Sequence, residues 1–247
     1  MPYIKKEYIC GDVIEVEKTH TGRYGAPGQR RQKKKKPTRE EVAKQNEINA
    51  VKKLRRKMNN NFDLGDYHLI LTYKKEIRPE PEGARKILSQ FLKKLRAVYK
   101  KHGAELKYIV TTEYKRKAIH HHLVINNTEL LNVAMHVARL WEYGRPKFTV
   151  LDDTGDYSQL ADYFIKETGQ SFREPDNPNK TRYSCSRNLK EPEVKKTILK
   201  ARTWREDPKP KKGWYIVKDS FYEGVNPVTG YRYQYYTMRR IERGKER

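Results

Sequence analysis

The apolar positions between residues 67 and 168 follow two spacings in turn, one typical of strands and one typical of helices. Tyr67 to Tyr73 is a short, mostly apolar run that predicts a buried strand. Tyr108–Tyr114 and Ile119–Ile125 predict two more strands for the same reason. Between the first two strands, apolar residues recur at helical spacing: Ile87, Leu88, Phe91, Leu92, Leu95, Val98 and Tyr99. This region is therefore predicted to begin strand, helix, strand, strand.

The same alternation predicts three more elements. Thr128 is expected to cap a helix whose apolar stripe includes Trp141 and which stops at Gly144. Phe148–Leu151 predicts a short fourth strand, and Ser158–Thr168 predicts a helix. The complete order matches a ferredoxin-like, split β-α-β antiparallel sheet, so the predicted fold class is α+β.

The N-terminal flank, residues 1–61, is predicted to be a basic extension. It opens with a short β-rich segment, which an irregular linker containing Lys33, Lys34, Lys35 and Lys36 follows. The run Thr38-Arg39-Glu40-Glu41 fits a capping box and predicts a helix to about Asn59. That helix has few apolar residues and many cations, Arg55 and Arg56 among them, so it is expected to suit DNA better than a core.

The C-terminal flank, residues 171–247, is also basic and is interrupted by prolines. The stretch Trp214–Ile241 is rich in Tyr, Val and Thr and contains a turn at Asn226–Gly230. This pattern predicts a β-hairpin, which we expect to complete a sheet with the N-terminal strands. The chain is thus divided into an N-terminal extension, a core at residues 62–170 and a C-terminal extension.

The net charge of the chain indicates that its partner is a polyanion. The 247 residues contain 55 Lys and Arg against 31 Asp and Glu, a formal net charge of +24. Nucleic acid is the first candidate partner and an anionic membrane the second. The chain has neither a signal peptide nor a hydrophobic run that could span a bilayer, so no membrane association is expected. Two distant cysteines, Cys10 and Cys185, suit a reducing cytoplasm and argue against a disulfide framework or a thiolate zinc site.

The positive charge lies mainly in the two flanks. Residues 1–61 hold 17 Lys and Arg against 7 Asp and Glu, and residues 180–247 hold 19 against 8. The middle is nearly neutral, which predicts a compact core between two basic arms that hold phosphate backbone. The run of four lysines before Pro37 is either a solvated linker or a phosphate contact.

Three consecutive histidines in the third predicted strand are the first candidate site. His120 and His122 point to one face of a strand, about 7 Å apart along it. If the second and third strands form a hairpin closed by Lys115–Ala118, Glu113 lies directly opposite His120 and on the same face. His121 then falls on the opposite face, where we expect a packed core histidine.

A carboxylate and two neutral imidazoles can bind one divalent metal ion and leave coordination sites open. Mg²⁺ or Mn²⁺ suits a site that meets a phosphate, although Zn²⁺ binds such ligands at least as well. The alternative is that these histidines are ordinary strand residues. The remaining histidines have no comparable partners and are interpreted as structural or exposed: His20, His68, His102 and His136.

A tyrosine in the last predicted helix is a candidate nucleophile. Tyr163 and Lys166 are three residues apart and share a face away from the apolar stripe. A neighbouring lysine favours a phenolate and stabilises charge on a phosphate during transfer. The alternative is a surface tyrosine beside a solvated lysine, because the chain has 18 tyrosines.

Glu113, the run from Ile119 to Leu123, and Tyr163 with Lys166 together resemble the HUH endonucleases, named for two histidines around one usually hydrophobic residue. The chain is most similar to the rolling-circle replication initiators (Rep) of bacterial plasmids and phage-like elements, over roughly residues 60–170. The family's first motif corresponds to Leu71-Thr72-Tyr73, which implies a DNA-contacting role for Thr72. His121 departs from the family pattern but leaves both ligand positions intact.

The resemblance implies that Tyr163 attacks a phosphate of single-stranded origin DNA, which leaves a 5′-phosphotyrosine and a free 3′-hydroxyl that primes replication. One tyrosine is expected to act, since Tyr157 lies on a different helical face. No Gly-x-x-x-x-Gly-Lys-Ser/Thr motif is present, so a host helicase and polymerase are expected partners. Basic and aromatic residues of the arms would stack bases and hold backbone, for example in an origin hairpin: Trp204, Trp214, Tyr215, Arg232, Tyr233, Arg239 and Arg240. The alternative for the aromatic residues is that they pack a small β-unit.

Two other interpretations remain open from the residues alone. A relaxase or transposase of the same superfamily would carry out the same chemistry on another biological substrate. A non-catalytic nucleic-acid-binding protein would carry a structural metal or none.

Overall fold

A computed structural model describes residues 3–20, 36–114, 118–171, 178–179, 181–199, 206–226 and 230–241. The predicted phosphate contacts Lys33, Lys34 and Lys35 lie outside the described residues, as do Trp204 and residues 115–117 of the predicted hairpin loop. The chain forms two compact units: residues 1–48 with 191–247, and residues 49–190.

Four α-helices and eleven β-strands are present in the described part of the chain. The helices are α1 (Arg39–Asn59), α2 (Pro81–Lys101), α3 (Val133–Leu140) and α4 (Ser158–Ser171). The strands are β1 (Tyr3–Cys10), β2 (Val13–His20), β3 (Tyr67–Thr72), β4 (Tyr108–Glu113), β5 (His120–Ile125), β6 (Pro146–Val150), β7 (Ser184–Cys185), β8 (Glu193–Leu199), β9 (Trp214–Ile216), β10 (Tyr222–Val225) and β11 (Arg232–Arg240).

The unit formed by residues 49–190 contains a five-stranded sheet in the order β6-β3-β5-β4-β7. All of its strand pairs are antiparallel. From β3 to α4 the elements follow the predicted order strand, helix, strand, strand, helix, strand, helix. The α+β fold class with a split β-α-β core is therefore confirmed.

The two faces of this sheet bury separate apolar clusters. On one face, side chains of β3, β4 and β5 pack with α2 and α3 around Leu69, Leu71, Phe91, Leu95, Tyr99, Leu123, Ile125, Val137 and Trp141. On the other face, α4 and the end of α1 contribute to a second cluster: Leu54, Met58, Phe62, Ile109, Val124, Leu151, Tyr157, Ala161, Phe164 and Ile165. Helices on both faces explain why β4 and β5 are nearly continuous runs of buried residues.

Helix α1 begins as predicted, but the expectation that it avoids a core is wrong for its C-terminal half. The capping box is formed, since Glu41 N–H donates to Thr38 Oγ1 at 3.1 Å and Thr38 N–H donates to Glu41 Oε2 at 2.8 Å. Leu54 and Met58, four residues apart on one helical face, are completely buried in the second cluster. Two apolar side chains are enough to anchor the last turns although cations surround them in the sequence.

Leu54→Ala is expected to lower the free energy of unfolding by about 2–5 kcal/mol, because it removes buried methyl groups and leaves a cavity. Val42→Ala on the same helix is the matched control, since Val42 is 43% exposed and its loss should change stability by less than about 0.5 kcal/mol. Urea denaturation followed by circular dichroism measures both. Equal effects of the two substitutions would show that the end of α1 does not belong to this core.

Helix α3 begins later than predicted, because Asn132 and not Thr128 is its N-cap. The Asn132 side chain accepts a hydrogen bond from Met135 N–H at 2.9 Å, whereas Thr128 Oγ1 accepts one from Leu130 N–H in the preceding turn. The helix also ends earlier than the predicted stop at Gly144, since its last residue is Leu140 and Trp141 is its C-cap. Gly144 has a different role, because a Cβ there would overlap the carbonyl oxygen of Thr72. This close approach brings the chain after α3 against the end of β3.

The other unit, residues 1–48 with 191–247, contains a six-stranded sheet. The strand order is β10-β11-β2-β1-β8, and β9 pairs with β11. A hairpin of β10 and β11 is present in the stretch Trp214–Ile241, and β11 pairs with the N-terminal strand β2. Trp214 packs against the small apolar core of Ile14, Val16, Tyr236 and Met238.

Candidate active site

The strand register brings three metal-binding side chains together. Glu113 on β4 lies directly opposite His120 on β5, as predicted, and His122 follows two residues later on the same face. One ligand atom from each of the three residues lies within 4.8 Å of the others. Glu113 and His122 are buried and His120 is half-buried. This cluster can hold a metal ion.

The hydrogen bonding of His120 favours a cation between its ring and Glu113. His120 Nδ1 lies 3.1 Å from the carbonyl oxygen of Ala118, which can only accept, so Nδ1 carries a proton. His120 Nε2 lies 3.0 Å from Glu113 Oε2. In the neutral ring both of these atoms present lone pairs, which repel each other unless a proton or a metal ion lies between them. A carboxylate and two imidazoles are also a donor set that binds divalent ions.

His122 is held neutral by its surroundings. Burial, together with the neighbouring His120 and His68, lowers the pKa of His122 to about 3. A neutral imidazole has a nitrogen lone pair, which is the form that binds a metal. The rings of His120 and His122 are 4.9 Å apart between centroids and meet edge to face.

The candidate nucleophile Tyr163 lies beside this cluster. Its Oη is 3.4 Å from His122 Nε2, and the two ring centroids are 5.2 Å apart. Burial of Ala161, Phe164 and Ile165 fixes the rotation of α4 and leaves Tyr163 38% exposed. Lys166, one turn further along α4, is exposed as well. The predicted common face of Tyr163 and Lys166 is therefore confirmed as a solvent-accessible face.

Tyr157 is buried and precedes α4, so it does not share the exposed face of Tyr163. Its backbone N–H donates to Asn59 Oδ1 at 2.9 Å, and its ring belongs to the second apolar cluster. A second exposed nucleophile is thus absent at this position.

His121 is a packed core histidine on the opposite face, as predicted. Its Nε2 lies 2.8 Å from Tyr73 Oη and its Nδ1 lies 2.8 Å from Thr112 Oγ1. The ring also meets Trp141 edge to face at 5.9 Å. Burial lowers the pKa of His121 to about 3, so both ring nitrogens are satisfied in the neutral state.

His121→Leu is expected to keep the affinity for Mn²⁺ and most of the activity of the folded protein, because His121 faces away from the cluster. It should nevertheless lower stability by about 1–3 kcal/mol, because the buried hydroxyl of Tyr73 loses its hydrogen bond to His121. Thermal melting and Mn²⁺ titration measure the two effects separately. A protein that melts normally but has lost its Mn²⁺ affinity would show that His121 serves the metal centre directly.

His68 is a site residue that the sequence analysis missed. Contrary to its interpretation as a histidine without comparable partners, its Nε2 lies 3.3 Å from His122 Nδ1, and the two rings stack with centroids 5.5 Å apart. Burial lowers the pKa of His68 to about 4. His68 pairs with Val124 across β3 and β5, which makes it a diagonal neighbour of His122. The contact depends on the pairing of β3 with β5, which the pattern of histidines within one strand does not reveal.

The other predicted DNA contacts are spread over both units. Thr72 lies opposite His120, on the sheet face that carries Glu113, His120 and His122. Its Oγ1 donates to the Arg145 carbonyl at 3.1 Å. Arg55 and Arg56 are half-buried in the second half of α1. Lys36 is exposed in the other compact unit.

Lys147 is a second residue that the sequence analysis did not single out. It lies on the edge strand β6 opposite Ile70, and Ile70 lies opposite His122 on β5. Since directly opposed residues share a face, Lys147 is on the metal-cluster face, where it is exposed. It adds a positive charge to the side of the sheet that carries Tyr163.

Residues 66–168 match the model of a protein family described as Replication-associated protein ORF2/G2P, a family of the rolling-circle replication initiator type. This span contains the whole cluster, Tyr163 and Lys166. No curated protein and no solved structure matches the chain. Among the described residues, no helix has both the length and the apolar character needed to cross a bilayer.

Proposed function

We propose that this protein is a metal-dependent, site-specific endonuclease and strand transferase of the HUH type, which nicks single-stranded DNA at an origin to start rolling-circle replication. The observation that carries the proposal is the contact of 3.4 Å between Tyr163 Oη and His122 Nε2, beside Glu113 and His120. The replication-associated family match over the same residues supports the choice of substrate.

The reaction is a transesterification of one phosphodiester, in which the phosphate moves from the 3′-oxygen of the DNA to Tyr163. Tyr163 Oη attacks the phosphorus, a new oxygen–phosphorus bond forms, and the bond from phosphorus to the 3′-oxygen breaks. The phenolic proton passes to solvent, which the exposed side chain reaches, and the 3′-oxygen takes a proton from water. The products are a 5′-phosphotyrosine and a free 3′-hydroxyl, and reversal of the same step reseals the strand.

Glu113, His120 and His122 would hold a divalent ion, Mg²⁺ or Mn²⁺, which would supply Lewis-acid polarisation of the scissile phosphate. The ammonium group of Lys166, one helical turn from Tyr163, stabilises negative charge that develops during the transfer. Lys147 and Thr72 lie on the same face of the sheet and hold the substrate backbone there. The pairing of a fixed nucleophile with fixed cations positions the phosphate for attack.

The partners follow from the charge and the chemistry. The net charge of +24 attracts the backbone of single-stranded DNA or of an origin hairpin, with Lys33–Lys36, Arg55 and Arg56 as contributors. A host helicase and a host polymerase would separate the strands and extend the 3′-hydroxyl. We propose a cytoplasmic location, because a reducing compartment keeps the thiols of Cys10 and Cys185 reduced.

Covalent capture of DNA tests this proposal. The protein is incubated with a library of random single-stranded oligonucleotides and Mn²⁺, and products that survive denaturing electrophoresis are sequenced. We expect a covalent adduct that EDTA prevents and that does not form when duplex DNA is supplied in place of single-stranded DNA. The captured strands should share one sequence. Binding without any adduct would contradict the proposal and favour a non-catalytic nucleic-acid-binding protein.

A further inference from the structure

The side chain of His68 occupies a place that the proposed chemistry leaves without a role. It lies on β3, which neighbours the strand that carries the two histidine ligands, and its ring is half-buried against Phe164 at 5.6 Å between centroids. Its Nε2 is directed at Nδ1 of His122, at 3.3 Å. On His122 this contact uses Nδ1, whereas Tyr163 lies next to the other ring nitrogen, Nε2.

The two nitrogens of His122 have different neighbours, so they have different tasks. Nδ1 faces His68, while Nε2 faces Tyr163 Oη at 3.4 Å. A neutral imidazole has one N–H and one lone pair. If Nδ1 carries the proton and donates it to His68, the lone pair of Nε2 is directed towards the metal cluster and the nucleophile.

We propose that His68 is a positioning residue that accepts a hydrogen bond from His122 Nδ1–H and thereby fixes the tautomer and the ring orientation in which His122 binds the metal through Nε2. The inference rests on the proposed metal site. His120 has an equivalent arrangement, because its Nδ1–H is bonded to the Ala118 carbonyl at 3.1 Å. Each imidazole ligand thus has its own acceptor, a backbone carbonyl for one and a side chain for the other.

The alternative role for His68 is packing alone. Its ring stacks on His122 with an interplanar angle of 22° and touches Phe164, so an aromatic side chain of similar size would fill the same space. Two substitutions separate the roles. His68→Phe keeps an aromatic ring and removes the acceptor, whereas His68→Gln loses the ring and retains an oxygen that reaches the position of Nε2.

The test is the affinity for Mn²⁺, measured by calorimetry on the full chain without DNA. We expect His68→Phe to raise the dissociation constant about 10- to 100-fold, the usual effect of removing such a partner of a ligand. His68→Gln should recover most of the affinity. At saturating Mn²⁺ the rate of adduct formation by His68→Phe should return to within a few-fold of the unsubstituted protein. His102→Phe, at an exposed histidine of the same unit, is the matched control and should change nothing.

A second readout follows the tautomer directly. Two-dimensional NMR of protein labelled with ¹⁵N-histidine should show His122 protonated at Nδ1 in the unsubstituted protein and in His68→Gln, and a mixture of tautomers in His68→Phe. If His68 only packs, His68→Phe should change the melting temperature and leave His122 protonated at Nδ1.

Three results would overturn the inference. An unchanged Mn²⁺ affinity in His68→Phe would show that His68 acts only through packing. Complete loss of Mn²⁺ binding in both variants, with no recovery at high Mn²⁺, would make His68 a direct ligand. If the unsubstituted protein binds no Mn²⁺, the metal site itself fails and the proposed function fails with it, whereas the first two results leave the proposed function standing.

Discussion

Tyr163→Phe is expected to abolish the covalent adduct, with a loss of at least about 10³-fold in the rate of its formation. The substitution removes one oxygen atom, which is the atom that forms the bond to phosphorus in the proposed reaction. The ring of Tyr163 packs edge to face on His122, and phenylalanine keeps that contact. Fold and metal affinity should therefore be unchanged, and the effect is confined to the chemical step.

Tyr157→Phe is the matched control for this experiment. Tyr157 is buried six residues earlier, and its hydroxyl donates to the Asp152 carbonyl at 3.4 Å. Its loss should leave the adduct in place. Denaturing electrophoresis of DNA-linked protein measures both variants side by side. If the adduct persists in Tyr163→Phe, another residue is the nucleophile and the proposed mechanism is wrong at its first step.

His120→Ala and His122→Ala are expected to abolish Mn²⁺ binding at micromolar concentrations and to reduce adduct formation to background. Each substitution removes one of the three proposed ligands and leaves only two to bind the ion. Binding of single-stranded DNA should survive and keep its dependence on salt, because most of the positive charge lies outside the cluster.

Calorimetry with Mn²⁺ and fluorescence anisotropy with labelled single-stranded DNA separate the two effects. His136→Ala, a half-buried histidine of α3 outside the cluster, provides the control for removal of an imidazole. If His120→Ala and His122→Ala lost DNA affinity as well, the metal centre would be needed for binding. That result would contradict the expectation that basic residues outside the cluster bind the DNA.

The candidate site was predictable where it depends on neighbours in sequence. β4 and β5 are joined by a short connection, so alternation and apolar runs alone predict that Glu113 opposes His120. The exposed side of α4 follows from the helical spacing of its apolar residues in the same way. Local patterns therefore predicted where the candidate ligands and the candidate nucleophile lie, and that His121 is buried.

The contacts that the sequence did not predict depend on pairing between distant segments. His68 meets His122 only because β3 lies beside β5, and Lys147 reaches the same face only because β6 pairs with β3. An alternating pattern shows that a strand has two faces but not which strand lies next to it. Neighbours in a sheet are therefore the information that single-strand patterns lack.

Charge composition misled the interpretation of α1. The helix is cationic overall, yet Leu54 and Met58 are buried in the core of the unit that contains the site. Composition averages over all faces of a helix, whereas burial depends on one stripe. Lys57 shows the same effect, since it is buried although lysine is rarely so.

The most direct test of the central claim is a crystal structure of the protein grown with Mn²⁺, with the anomalous scattering of manganese recorded. The account predicts one strong anomalous peak with Glu113, His120 and His122 as ligands within about 2.0–2.5 Å and with the Tyr163 side chain beside it. Manganese bound elsewhere, or none among these three side chains in a preparation that forms the DNA adduct, would contradict it.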